Sequence, residues 1–289
     1  MGTCRLFGIE RQVYYRAIKS EKDRRETSTQ VVKMIQKVRI RLPECGTRKL
    51  YSILYSELKE LKVGRDRLFS IIKANHLEIK AKKQYHVTTN SHHRFRKHKN
   101  LTENLQLYRP EQLWVADITY VGSRENPMYL SLVTDAYSKQ IMGYNVSKSL
   151  HATGATSALK NALENRKYKE KELIHHSDRG LQYCCEAYQS MLQENNLLCS
   201  MTEKYDPYQN AVAERINGIL KQEFIRGIKI KDVELMTKLI EESIHIYNNE
   251  RPHWSCFMNT PNQMHKQNQI KIRTYKTKNN LKSTLQVIN

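Results

Sequence analysis

The sequence predicts an α/β core preceded by a small all-α module. The spacing of apolar residues changes near residue 113, from helical periodicity to strand-like runs. Beyond that point the order is strand, strand, strand, helix, strand, helix, strand, helix, which is an α/β layer pattern. Charge divides the chain at the same places: residues 1–112 carry a net +15, residues 113–265 a net −1 and residues 266–289 a net +6. Four segments are therefore expected: a helical module over 1–79, a basic linker over 80–112, a core over 113–265, and a poorly ordered basic tail over 266–289.

Residues 3–20 predict two short helices around a turn at Gly8. Residues 28–42 predict an amphipathic helix, with Val31, Val32, Ile35 and Val38 apolar, broken over Pro43 to Gly46. Thr47 is placed to cap a helix carrying Leu50, Ile53, Leu54, Leu58 and Leu61. A tight turn at Val63-Gly64 leads to a helix over about 65–76. Leu68, Ile71 and Ile72 line one side of it and leave Arg65, Arg67 and Lys73 free elsewhere. Helix, glycine turn and basic helix make a helix-turn-helix pattern, read either as a DNA contact or as a structural hairpin.

Residues 80–100 lack periodicity and mix basic with aromatic residues, a composition suited to phosphate contact and base stacking. Arg94, Arg96 and Lys97 are the candidate DNA contacts there. The clustered histidines raise zinc, but no paired cysteine stands nearby to complete such a site. In the core, strands are expected at 113–121, 128–135 and 140–147 as an antiparallel meander, with turns at Gly122–Pro127 and Ser138–Gln140. A helix follows at 152–165, then a strand at 171–177, a helix at 181–195 and a strand at 197–202. A loop rich in turn formers leads to a helix running to about 226 and another at about 233–249.

Composition narrows the partner class. Basic arms flanking a near-neutral middle favour a polyanion over a merely solvated surface. The six cysteines show no Cys-x-x-Cys and follow no secretory signal, so they read as reduced, mostly buried thiols. No apolar run approaches the roughly 18 residues of a membrane helix. A cytoplasmic, bacterial-type protein is expected.

Three acids carry the chemistry. Asp117 interrupts the β-rich run Leu113 to Val121. Asp178 ends the apolar stretch Leu173-Ile174-His175-His176-Ser177 as it runs into a turn. Glu214 lies on a helix with apolar residues at 212, 216, 219 and 220, and 35 residues separate it from Asp178. Carboxylates on two strands and a helix are the ligands that hard divalent cations take, the rest coming from water and phosphate. Two such ions about 3.5–4 Å apart clamp the attacking and leaving oxygens of an in-line phosphoryl displacement. Singly, each acid has an ordinary structural role; together, in these contexts, they read as a metal site. Asp135, at the end of the second strand, is a rival ligand whose surroundings look more like a turn cap.

These stretches resemble the retroviral-integrase-like catalytic core, a ribonuclease-H-like fold. Within it the chain looks like the second-reading-frame transposase of bacterial insertion sequences of the third type. The resemblance is carried by Trp114-Val115-Ala116-Asp117-Ile118-Thr119-Tyr120 and by His175-His176-Ser177-Asp178-Arg179-Gly180 with Gln182-Tyr183. It continues in Asp206 to Glu214 and in Tyr247-Asn248-Asn249-Glu250-Arg251-Pro252-His253. Lys221 fills the basic position seven residues after the glutamate, and Gln209 stands where the family usually has Asp. The match spans about 113–262, and Gly46-Thr47-Arg48-Lys49-Leu50 resembles the helix-turn-helix segment that precedes such cores.

The resemblance implies a mixed five-stranded sheet flanked by helices and two Mg²⁺ or Mn²⁺ ions. It places Asp117 between both ions, Asp178 on one and Glu214 on the other. It implies cleavage at the element's ends that leaves a 3′-hydroxyl, then attack of that hydroxyl on target DNA, with a circular intermediate possible. Its partners are terminal-repeat and target DNA, further copies of the chain, and an upstream-frame subunit or fusion. Its place is the bacterial cytoplasm, at the nucleoid. Lys221 reads as a phosphate contact, being two turns after Glu214 on nearly the same face. His175 and His176 either orient Asp178 or pack; Arg251 and His253 either touch DNA or tie down the last helix. The alternatives in function are a ribonuclease-H-like nuclease that does not join strands, and a catalytically inactive DNA-binding relic.

Overall fold

A computed structural model describes residues 8, 10–79, 98–123, 125–202, 210–270 and 272. The chain forms two compact units, residues 1–83 and 84–289.

The first unit is helical. α1 (Arg11–Arg41) is one continuous helix of 31 residues, joining the short helix expected after the Gly8 turn to the one expected over 28–42; the short helix expected before Gly8 lies outside the described residues. The stretch between the expected helices is polar but holds no Gly or Pro, so nothing breaks the helix even where no apolar face marks it. α2 (Thr47–Ile53) and α3 (Tyr55–Glu60) follow, with the break at Leu54, and α4 (Arg65–Ala74) closes the unit. Thr47 is not the cap of α2; Gly46 holds that position, and Thr47 is already the first helical residue. The expected apolar face of α4 is buried in Leu68, Ile71 and Ile72, against a core containing Val31, Ile35, Leu50 and Leu58. Arg65, Arg67 and Lys73 stand on its exposed side.

The second unit is built on a five-stranded sheet of order β3-β2-β1-β4-β5. β1 (Leu113–Gly122), β2 (Pro127–Asp135) and β3 (Ile141–Ser147) form the antiparallel meander; β4 (Leu173–Ser177) and β5 (Leu197–Met201) add in parallel on the other side of β1. The sheet is thus mixed, and helices flank it. On one face, Trp114, Ala116 and Val133 pack with Ala155, Ala158, Leu159 and Ala162 of α5 (Ala152–Glu164). The same cluster takes Tyr183 and Cys184 of α6 (Leu181–Cys184) and Tyr188 and Leu192 of α7 (Glu186–Glu194). The helix expected over 181–195 is therefore two helices meeting at an extended Cys185.

On the other face, Leu113, Val115 and Ile174 meet Ala213 of α8 (Ala211–Ile219). α8 runs into a π-helix (Leu220–Ile225), and α9 (Val233–Asn249) lies against β3. A capping box at Thr260 starts the last helix, α10 (Pro261–His265).

The segment before β1 is bound to the same unit. Leu105 and Leu107 pack on the core, and the buried Glu111 carboxylate accepts the Lys167 and Tyr168 amides at 2.7 and 2.8 Å. His265 joins this knot through Ser138 Oγ at 2.9 Å and Glu111 at 3.2 Å, and so fastens α10 to the sheet.

Gly143 marks where β3 and α5 approach most closely. A Cβ built there would lie 2.1 Å from Ala158 O and 2.5 Å from Ala162 N, both backbone atoms that cannot move aside. Gly143→Ala is expected to destabilise the second unit by at least the roughly 1–3 kcal/mol of an overpacked core. Denaturant titration should show a lower midpoint at unchanged slope.

Candidate active site

Strand period decides which residues of β1 reach the site. Successive side chains alternate between faces. Trp114, Ala116 and Ile118 join the α5–α7 side, whereas Leu113 and Val115 join the α8 side. Asp117 and Thr119 share the parity of the second set and so face α8. β4 runs parallel to β1 with Leu113 opposite Ile174 and Val115 opposite His176. The pairing ends there, and beyond it Asp117 of β1 and Asp178 line one cleft, where their charges interact. Asp178 lies just past the strand, where its Oδ1 accepts the Gly180 amide at 2.9 Å and fixes the turn into α6.

Asp117 is tightly held. Its Oδ1 accepts the Ile118 amide at 2.9 Å, and its Oδ2 accepts Asn217 Nδ2 of α8 at 2.7 Å. Burial, and then the neighbouring Asp178 charge, push its carboxyl up to about 7, against the pull of the Asn217 and Ile118 bonds. Glu214 adds to that push but stands exposed on the first turn of α8, its own carboxyl raised by burial alone. Lys221 is half-buried on the π-helix and its Nζ donates to Thr119 Oγ1 at 3.2 Å. Burial lowers its pKa, and Asp117 draws it back up.

Asp117, Thr119, Asp178, Gln182 and Tyr183 line one cleft, with Tyr120 and Tyr129 at its side. Those two rings are tilted together at 4.9 Å. Among the described residues, the Tyr183 hydroxyl and Asn217 Oδ1 are buried with no hydrogen-bond partner. Desolvation, then Asp178 and Asp117, hold the Tyr183 phenol well above its ordinary value, so it stays protonated and can donate a hydrogen bond.

The structure brings Asp117 and Asp178 together and places Lys221 beside them. Glu214 is on the adjacent helix, and among the described residues no three of His, Cys, Asp or Glu stand close enough to form a ready metal cluster. Arg94, Arg96, Lys97 and Gln209 lie outside the described residues. Asp135 is the turn cap its context suggests: fully buried, its carboxylate accepts the Ser138 amide and hydroxyl and the Glu111 amide. His175 and His176 are wholly buried, bonded to Tyr188 and Ser200 respectively. Burial, and then His176, push His175 down to about 3, so it is neutral. Arg251 holds Glu223 and is not on the surface.

Asn217, Thr119 and Tyr183 are site residues that the sequence reading gave no role. The signals were available: Asn217 is three residues after Glu214 on one helical face, and Thr119 two after Asp117 on one sheet face.

Two carboxylates lining one cleft, one of them pushed up by burial and then by the other's charge, fit a hard divalent cation. It would take oxygen ligands and relieve the repulsion. The buried, unpartnered Tyr183 hydroxyl in the same cleft is a further polar group suited to a hydrated ion.

Residues 108–207 and 195–261 each match an integrase core domain family. The 31 kDa protein of insertion element IS600 from Shigella sonnei is 36% identical over 256 residues, covering 86% of this chain and 92% of that protein. The transposase for insertion sequence element IS629, also from Shigella sonnei, is 40% identical over 146 residues, half of this chain and 48% of its own length. The transposase InsF for IS3A of Escherichia coli K12 is 37% identical over 55% of each chain. This chain therefore spans about half the length of those two transposases. Among solved structures, the intasome of simian T-cell lymphotropic virus matches 80% of this chain at a TM-score of 0.49 and 17% identity. The HTLV-2 integrase catalytic core in complex with magnesium matches 54% at 0.43 and 17%. The chain belongs to the insertion-sequence transposases of the IS3 type, with an integrase core. Among its described residues, no helix is long and apolar enough to cross a membrane.

A pH titration of stability checks the acid pair. Without metal, the folded chain keeps a proton on Asp117 up to about pH 7, whereas the unfolded chain releases it near pH 4. Its contribution to stability therefore declines as pH rises through that window. Asp117→Asn is expected to stabilise the metal-free fold at pH 8 by on the order of 2 kcal/mol, and hardly at all at pH 4. An equal effect at both pH values would refute the raised Asp117 carboxyl that burial, and then Asp178, produce.

Proposed function

We propose that this chain is a DNA transposase that cleaves at the ends of its element and joins the resulting 3′-hydroxyl to target DNA. The observation that carries the reading is that Asp117 and Asp178 share one cleft with interacting charges, and that Asn217 of the Glu214 helix bonds the Asp117 carboxylate. Asp117, Asp178 and Glu214 would hold two Mg²⁺ or Mn²⁺ ions, Asp117 being shared. Bound there, the ions supply Lewis acidity and positioning for in-line phosphoryl transfer.

The protein's own residues do the rest. Asn217 and the Ile118 amide hold the Asp117 carboxylate in one orientation. The turn closed by Asp178 and Gly180 does the same for the second acid. Glu214, exposed on the first turn of α8, would be the third carboxylate of the set. Lys221 lies within reach of a phosphate oxygen beside Asp117, and the Tyr183 hydroxyl is a second donor. Arg65, Arg67 and Lys73 on α4, with Arg94, Arg96 and Lys97 in the basic segment, would contact the DNA backbone and steer it to the cleft. The terminal repeats and target DNA are the substrates. An upstream-frame subunit or fusion and further copies of this chain are the partners, because two element ends must be brought together. The reaction belongs in the bacterial cytoplasm, on nucleoid DNA.

Labelled element ends incubated with the chain, alone and as the upstream-frame fusion, test this. Metal-dependent joined products are expected. Asp117→Asn or Glu214→Gln should reduce joining by at least about a thousandfold, since the acids act as a unit, while DNA binding persists. Nicking without joining would favour the nuclease reading, and no reaction from the fusion despite DNA binding would indicate an inactive copy. Binding should also weaken steeply between about 50 and 200 mM salt, as release of phosphate counterions requires. A flat response would remove the basic residues from DNA recognition.

A further inference from the structure

Lys221 stands on an unusual piece of helix. Directly after α8 the backbone widens into a π-helix over Leu220–Ile225. Such turns are rare, and they concentrate at functional sites. On one side of this turn, Lys221 reaches Thr119, two residues from Asp117 on β1. Two residues further along the π turn, the Glu223 carboxylate is gripped in fork fashion by Arg251. Nε and Nη2 each donate at 2.7 Å, to different oxygens of Glu223.

Arg251 is itself anchored to the sheet. Its guanidinium lies over the Tyr247 ring at 5.7 Å, and Tyr247 Oη donates to Lys139 O at 2.8 Å. The neighbouring Asn248 exchanges two hydrogen bonds of 3.0 Å with the backbone of Ile141, at the start of β3. A continuous path therefore runs from β3 through Tyr247 and Asn248 to Arg251, on to Glu223 and the π turn, and back through Lys221 to β1.

The Arg251 side chain is only 3% exposed and that of Glu223 only 18%. Ion pairs this buried gain little net stability over well-packed apolar residues, so stability alone is a weak reason for one. What a two-pronged Arg–carboxylate contact does supply is fixed geometry. A π turn holds more residues than an α turn, so relaxation to an α-helix would rotate the side chains along it about the axis. We infer that the Glu223–Arg251 pair is a positioning clamp: it holds the π turn in the register that directs the Lys221 amine to Thr119 and the Asp117 carboxylate, where a DNA phosphate oxygen would meet it. The phosphate rests on the strand-transfer reading; the geometry of the clamp does not.

A double-mutant cycle tests the clamp. Glu223→Gln is expected to slow strand joining about tenfold when Lys221 is present, and less than about twofold in a Lys221→Ala background, because residues acting through one another are non-additive. The same loss in both backgrounds would mean that the pair only supports the fold, and would overturn the inference. A second readout needs no DNA. In Glu223→Gln and in the milder Arg251→Lys, labelling of Lys221 by an amine-reactive reagent, read by mass spectrometry, should change severalfold relative to exposed lysines. Labelling unchanged from wild type would also overturn the inference. If neither the wild-type chain nor its upstream-frame fusion joins DNA, the strand-transfer reading fails, and labelling still decides the clamp.

Discussion

The parallel pairing of β1 with β4 governs everything else at the site. Its register sets Leu113 against Ile174 and Val115 against His176, and so delivers Asp117 and Asp178 to adjacent positions where β4 ends. The two acids line one cleft there, near enough for the Asp178 charge to add to burial in raising the Asp117 carboxyl. Neither acid can relax away. β1 is the middle strand of the sheet, paired with β2 on one side and β4 on the other. The Asp178 carboxylate is also tied into the turn that starts α6.

That arrangement costs free energy in the metal-free chain, and the surrounding groups offset only part of the cost. Asn217 and the Ile118 amide stabilise the Asp117 charge, while burial and Asp178 oppose it more strongly. Strain of this electrostatic kind, set on a rigid sheet, is what a site for a doubly charged cation requires. The helix carrying Glu214 is the less constrained side. Glu214 is exposed on its first turn, although Ala213 beside it is buried on the sheet and Asn210 at its start donates to Ala116 O at 3.0 Å. The site thus has two carboxylates beside the strands and a third whose side chain stands exposed on α8.

The remainder of the molecule serves these two demands. Trp114 and the small residues of α5 fill the face away from the acids and let helix and sheet approach closely, to the point where Gly143 tolerates no side chain. Positive charge is concentrated outside the core, which keeps near-neutral ground around the acids. The match to the IS600 protein reaches into both units, since it extends over 86% of the chain.

Local sequence determined a great deal. Strand and helix runs from 113 to 249 were legible because period-two and period-3.6 patterns are strong where one face of an element is buried. α1 was misjudged for the same reason: most of its first half faces solvent, so no apolar stripe announced it. The three acids stood out as carboxylates in contexts where an acid is out of place, and their roles came from a family resemblance rather than from spacing. What only the tertiary structure decided is which groups meet. Asn217 on Asp117, Thr119 on Lys221 and Arg251 on Glu223 join residues 28 to 102 positions apart. Asp135 and Asp117 are both lone acids in strands, yet one caps a buried turn and the other faces the cleft. Chain order does not encode such distinctions, because they depend on strand register and on which face each helix covers.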